Sequence, residues 1–300
     1  MSSLVSSRDA SQSAPEPVLR VSARRRSGAI VFGLLCAVSF LLVVVPLADI
    51  LWTVLSRGAQ ALNLEVFTQV TNGISGGLLN AIEGTLVMSA GALLFAAPVG
   101  VITGVYLAEF GKGAWGSVVR FLADVLTGVP SIVLGYFSYV TLVEGLGWQF
   151  SALAGAITLA ILIVPYIARF TELAMRQNPS SLREAGYALG GREHQVVFRV
   201  LLPAARSGVI TGVLLSLAIS VGETAPLIYT AGYSNYMWDG KLFGSPVGYL
   251  TGAIWTLYND QTTPGAIQLA YAAAFLVTIL VLAINVIARM ILRGNQIQRA

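Results

Sequence analysis

The chain has 300 residues, of which 56% are hydrophobic and only 11% charged. A soluble domain of this size carries about a quarter charged residues, so the composition excludes an ordinary water-soluble globule and points to apolar surface that meets lipid. The net charge of +4 is small and gains meaning only by position, while the single cysteine, Cys36, excludes an internal disulfide and a cysteine metal cluster.

Residues 1–27 are rich in Ser and Arg and lack apolar periodicity, the pattern of a disordered tail. Arg20, Arg24, Arg25 and Arg26 stand against the first apolar run and are expected to hold this end in the cytoplasm. The run 28–55 is too long for the core of a signal peptide and reads as an uncleaved first span, with Pro46 inside it and Asp49 near its far end. An external loop completes the segment 28–79 and contains two turn signals, Asn72-Gly73 and Gly76-Gly77.

The segment 80–293 reads as the membrane core. Span two covers 80–109 and contains Pro98 and the pair Gly100/Gly104, whose four-residue spacing lets another helix approach closely. Span three, 118–143, is interrupted by Gly128-Val129-Pro130, and span four, 150–170, carries Pro165 near its end. A polar segment follows at 176–205. Pro203 is expected to open the next helix, where its missing N–H costs nothing, and span five covers 207–229. In the long loop 231–264 the stretch 247–258 suggests an amphipathic interfacial helix with Trp255 and Tyr258 at headgroup level. Span six covers 265–292, and 294–300 is a short cytoplasmic tail. The expected fold is all-α and polytopic, with six transmembrane helices.

Six spans put both termini on one side. Of the 18 Lys and Arg residues, fifteen fall in the proposed inside segments, two (Arg57 and Lys241) outside, and Arg169 near the inner end of span four. That asymmetry orients the chain with both termini and the polar segment in the cytoplasm.

The polar segment organises the rest. Between 181 and 203 it holds Arg183, Glu184, Arg192, Glu193 and Arg199, each costing about 2.5–3.5 kcal/mol at a membrane centre, so it must face water. Ser181 and Glu184 have the spacing of a capping box, and Gly190-Gly191 suit a helix end. Ala185, Gly186 and Ala188 give the first helix little bulk, and a second short helix over 192–201 offers Val196, Val197 and Val200 for packing. On the residues alone this is either an ordinary loop in which Glu184 only caps a helix, or a helix–turn–helix able to dock on a partner.

The spacing favours the second. Glu184-Ala185-Gly186, then Gly190, then Val200-x-Leu202-Pro203 resembles the E-A-A-x3-G-x9-I-x-L-P signature of permease subunits of ABC importers, with Gly186 in place of an Ala and Val200 in place of Ile. Four further stretches resemble the PstA permeases of bacterial phosphate importers: Gly76 to Leu86 (GGLLNAIEGTL), Gly104 to Glu109 (GVYLAE), Leu126 to Gly135 (LTGVPSIVLG) and Gly222 to Leu227 (GETAPL). The resemblance implies a type I ABC importer permease fold and a cytoplasmic loop that fits a cleft of the ATPase through Glu184, Ala185, Gly190, Leu202 and Pro203. It also implies a second, PstC-like permease, a PstB-like ATPase dimer carrying ATP-Mg, and an external PstS-like phosphate-binding protein. No cofactor is expected on this chain and no nucleic acid among its partners.

Charges within the spans are the candidates for the transport path. Arg169 and Glu172 share a helical face. Arg169 reads either as a snorkelling anchor paired with Glu172 or, on the resemblance, as a guanidinium that meets a crossing anion. Glu223 and Thr224 lie deep in span five; a carboxylate repels phosphate, so Glu223 suits helix pairing or gating. Pro130 and Pro226 are expected to break helical hydrogen bonding and let spans bend. His194 is the only histidine, and the chain has neither a phosphate loop of the G-x-x-x-x-G-K-[ST] type nor a nucleophile–base constellation, so ATP hydrolysis is expected on another polypeptide. The resulting reading is a phosphate permease. A permease for sulfate or molybdate, an ion-driven secondary transporter and a non-transporting scaffold are its rivals.

Overall fold

Helices account for the architecture. A computed structural model describes residues 23–71, 76–260, 262 and 265–296, with backbone alone for 23–27 and 293–296, and among these there is no strand. In chain order the helices are α1 (Ala23–Ala61), α2 (Leu64–Thr68), α3 (Leu79–Glu109), α4 (Ala114–Gly128), α5 (Ser131–Ser138), α6 (Ala152–Arg176), α7 (Ser180–Ala188), α8 (Glu193–Val196), α9 (Leu202–Gly222), α10 (Ala225–Thr230), α11 (Leu250–Asn259) and α12 (Ala266–Gln296). Two π-helical turns, Tyr139–Gly145 and Val197–Leu201, extend α5 and join α8 to α9. The expected tails at 1–22 and 297–300 and the turn signal Asn72-Gly73 lie outside the described residues.

The chain divides into two units, residues 1–52 and 53–300. In the first, the described side chains of α1 from Gly28 onward are exposed, Cys36 included. The second holds the packed bundle. Among the described residues, five helices are long and apolar enough to cross a membrane. The remaining expected span, span three at 118–143, is not one straight helix: Ala114–Gly128 and Ser131–Gly145 meet at a 99° bend. Gly128-Val129-Pro130 causes it, because Pro130 supplies no N–H and holds extended backbone where the helical ladder would continue.

The central contact is α3 on α6. Gly100 and Gly104 permit it: a Cβ on Gly100 would lie 2.6 Å from Ile167 Cβ, and one on Gly104 would lie 2.5 Å from the Ala168 carbonyl and Thr171 Cβ. Met88, Ala92 and Ala96 of α3 continue the seam with Leu159, Ile163 and Ile167 of α6. The expected interfacial helix exists as α11 but is not a surface helix. Leu250, Ala253 and Leu257 are buried in a cluster with Leu78 and Ala81 of α3 and Ala266 and Ala270 of α12, and only the edge bearing Trp255 and Tyr258 is exposed.

Pro203 stands in the first turn of α9, as expected, yet that helix does not start from a loop. One apolar helical run extends from Glu193 to Gly222, and the π turn lets it pass through the proline: the Leu202 N–H bonds to the Val197 carbonyl, one residue wider than an α-turn. The second short helix expected over 192–201 is therefore the first part of span five.

Candidate functional site

The polar segment forms a folded hairpin against the bundle. Pro179, extended at ψ 145°, feeds α7, which begins at Ser180 with no side-chain cap. Ser181 thus lies inside the helix rather than at its N-cap, and the expected Ser181–Glu184 capping box does not form. Glu184 is exposed and has no ion-pair partner among the described residues. Gly190 ends the helix in the left-handed region at φ +78°, a conformation that a side chain would strain. Leu189, beside it, is 90% exposed, an apolar side chain standing clear of the fold.

Gly186, the departure from the usual Ala, has a local reason. A Cβ there would lie 3.0 Å from Val196 Cγ1, and Val196 is fully buried, so the glycine lets α7 lie close on α8. Behind that contact Val196, Val197 and Leu201 pack with Val105 of α3 and Met175 of α6. Asn178 donates to the Leu201 carbonyl at 2.9 Å. Arg183 makes a 2.6 Å ion pair with the nearly buried Glu109 at the end of α3. The face bearing Glu184 and Leu189 is thus exposed while its back is fastened to two spans. Leu202 is half-buried and Pro203 exposed where the segment enters α9.

A second ionic cluster lies at the same end of the bundle. Arg169 and Glu172 do pair, at 3.1 Å, but the pair belongs to a larger group. Glu172, its side chain 5% exposed, also accepts from Arg120 at 2.8 Å and Arg176 at 2.7 Å. Arg169 reaches Asp124 of α4 at 3.1 Å. Arg120 is the most engaged member, since it also donates to the Leu107 carbonyl at 2.6 Å and the Gly111 carbonyl at 2.9 Å, the open end of α3. Three guanidinium groups face two carboxylates, a surplus of one positive charge. Arg120, Arg169, Glu172 and Arg176 line an open cavity of about 440 Å³. Sequence spacing finds Arg169–Glu172 and the i, i+4 partner Arg176. It does not find Arg120, 52 residues away, or the Arg183–Glu109 pair, which only the fold brings together.

The two helix breaks face each other. Glu223 and Thr224 interrupt span five between α9 and α10, with Pro226 in the first turn of α10. Pro130 precedes α5, and α5 lies so close to α10 that a Cβ on Gly135 would be 2.5 Å from Pro226 Cα. The Ser131 side chain lies near the half-buried Glu223 carboxylate across the junction. Thr251 of α11 donates to the Glu223 carbonyl at 2.6 Å, which satisfies backbone that the break would otherwise leave open.

The stretch Gly76 to Leu86 is a clamp at the start of α3, at the opposite end from the ionic cluster. Asn80 accepts from Thr71 and donates to the Ser234 carbonyl at 2.9 Å, Glu83 accepts from the Trp238 N–H at 3.2 Å, and Thr85 accepts from the Leu250 N–H at 2.9 Å. Gly84 lies against the Gly248 carbonyl with no room for a side chain. In the loop so held, burial pushes the Tyr233 hydroxyl up to about 12, and the hydrogen bond from Lys241 holds the Asp239 carboxyl below its ordinary range.

The family described as "Binding-protein-dependent transport system inner membrane component" matches residues 100–295. The Phosphate transport system permease protein PstA 2 of Mycobacterium tuberculosis (strain CDC 1551 / Oshkosh) is 44% identical over 256 residues, covering 85% of each chain. PstA of Yersinia pestis is 39% identical over 248 residues, covering 81% of this chain and 82% of its own. PstA of Haemophilus influenzae is 36% identical over 264 residues, covering 86% and 92%. Among solved structures, a chain of the MetNI methionine ABC transporter in an inward-facing conformation has a similar fold, with a TM-score of 0.59 at 23% identity over 72% of this chain and 95% of that one.

Proposed function

Because this chain belongs to the binding-protein-dependent transport system inner membrane component family, we propose that it is a multi-pass permease subunit of a bacterial ABC importer of inorganic phosphate. The observation that carries this reading is the identity to phosphate permeases, which runs through 85% of both chains and takes in the clamp at the start of α3, both helix breaks and the polar segment. The likeness to a methionine transporter supports the fold and leaves the substrate to the phosphate relatives.

The mechanism is alternating access. Both termini and the polar segment lie on the cytoplasmic side, as the distribution of Lys and Arg favours. A PstB-like ATPase dimer binds ATP-Mg and grips α7 at Glu184, Ala185, Gly190 and the exposed Leu189, with Leu202 and Pro203 at the root of the segment. A PstC-like permease completes the path, and a PstS-like protein delivers phosphate from outside. Arg183–Glu109 and the buried valines carry movement of α7 into α3 and α6. Arg169 offers its guanidinium to the anion near the inner exit, where the cluster carries surplus positive charge. Glu223 and Thr224, with Pro130 and Pro226, mark where the spans bend, and the close packing of Gly135 on Pro226 holds the two breaks together.

The test is uptake of radiolabelled phosphate by phosphate-starved cells with and without this gene, in a strain lacking other phosphate importers. Loss of uptake on deletion, insensitive to excess sulfate and molybdate, is expected. Unchanged phosphate uptake would refute the substrate and leave the permease fold standing.

A further inference from the structure

A second cavity, of about 400 Å³, opens between α9 and α12, far along both helices from the breaks. Its walls are apolar, with Leu215 from α9 and Leu282, Val286 and Leu292 from α12. The helices are pinned beside it by Thr211, whose hydroxyl donates to the Ala288 carbonyl at 3.2 Å. One charged residue lines it. Arg289 is the sole Lys, Arg, His, Asp or Glu between Ala266 and Leu292, it is exposed, and it has neither an ion pair nor a hydrogen bond among the described residues. That sets it apart from the arginines of the Glu172 cluster, all of which are paired.

An unpaired guanidinium near the end of a span takes its counterion from outside the protein. Arg289 stands three residues before Leu292, about 4.5 Å along the axis, at the depth where a span leaves hydrocarbon for headgroups. We propose that this groove binds an anionic phospholipid, its phosphate on Arg289 and one acyl chain laid along Leu215, Leu282 and Val286. The apolar wall distinguishes this occupant from a free phosphate ion, which would leave the groove unfilled. Asn285, one turn from Arg289, donates its amide to the Val281 carbonyl at 2.8 Å, so its side-chain carbonyl remains to accept from a hydroxyl. A glycerol headgroup supplies one, and phosphatidylglycerol therefore fits better than a zwitterionic lipid.

Native mass spectrometry of the full-length chain in mild detergent, titrated with phosphatidylglycerol or phosphatidylcholine, measures this directly. One phosphatidylglycerol should be held at least tenfold more tightly than phosphatidylcholine. Arg289→Gln should remove that preference, and Val286→Trp, which fills the groove and keeps the charge, should weaken binding at least fivefold. Arg199→Gln, an exposed arginine outside the groove, should change nothing. Equal binding of the two lipids, retention of the preference in Arg289→Gln, or an equal loss in Arg199→Gln would overturn the proposal. Displacement of the lipid by millimolar inorganic phosphate would also overturn it, by showing a site for the ion rather than the lipid. All three variants are read only on material that elutes as the parent does, so misfolding is separated from loss of the site.

Discussion

Replacing Glu172 by Gln removes the charge that the inner cluster is built on while keeping the side chain's shape. The magnitude follows from exposure. Glu172 accepts from three arginines, but Arg169 and Arg176 have side chains 45% and 53% exposed. Water takes over much of what those two lose, and each pair is worth about 0–1 kcal/mol, as at a surface. Arg120 differs. Its side chain is 24% exposed and its other donors are spent on the end of α3, so it cannot turn to solvent without abandoning those carbonyls. A hydrogen bond to a charged group contributes about 1.5–3 kcal/mol, and this one dominates. Glu172→Gln should therefore cost about 2–4 kcal/mol, a fall in melting temperature of roughly 3–6 °C for a chain of this size. Arg176→Gln should cost less than about 1 kcal/mol. Thermal unfolding of the purified chain in detergent, followed by intrinsic fluorescence, makes the comparison. A Glu172→Gln protein that melts within 1 °C of the parent, or an Arg176→Gln protein equally destabilised, would refute this assignment of the energy to Arg120.

Arg169→Ala should leave melting within about 2 °C of the parent, since its pairs are half exposed, yet lower phosphate uptake at least tenfold; normal uptake would return Arg169 to the role of an anchor. Glu184→Lys should leave the chain as stable as the parent, because Glu184 caps nothing, while weakening co-purification of the ATPase at least fivefold; full co-purification with full uptake would refute the docking role. Gly104→Val should destabilise the bundle by about 1–3 kcal/mol, because the added methyls meet the Ala168 backbone and Thr171 with no room to move. An unchanged melting temperature for that variant would mean that α3 and α6 are not as close as described.

What was legible in the sequence followed from local chemistry. Long apolar runs separated by charged segments gave the spans, because the cost of burying charge in lipid acts residue by residue. The small-residue spacing at Gly100 and Gly104 announced a close neighbour but not which one. Pro203 marks the start of α9 as its residue type suggests, but the sequence does not show that a π turn joins α9 to the helix before it. Ser181 and Glu184 have the right spacing for a capping box, yet Pro179 starts the helix two residues sooner and leaves Glu184 free. The stretch 247–258 has an amphipathic composition, but α11 turns its apolar face to α3 and α12 rather than to lipid, a choice that only tertiary packing makes. Long-range ion pairs were invisible for the same reason. No local pattern links Arg120 to Glu172 or Arg183 to Glu109.

Those invisible pairs decide how a push on α7 is transmitted. Were α7 held only by flexible loops, docking an ATPase would move the segment and nothing else. Instead Arg183 ties it to the end of α3, Arg120 ties that same end to α6 through Glu172, and Val196 and Leu201 fill the space behind. At this end α3, α6 and α7 therefore move together, because separating them would strand nearly buried carboxylates. The displacement must be taken up where backbone is already not helical. Two such places face each other, at Val129-Pro130 and at Glu223-Thr224, with α5 and α10 in close contact at Gly135 and Pro226. A rigid inner end and a pair of facing breaks are what a rocking permease needs: the one converts a grip on α7 into rotation of spans, and the other lets the spans bend without opening their hydrogen bonds to lipid.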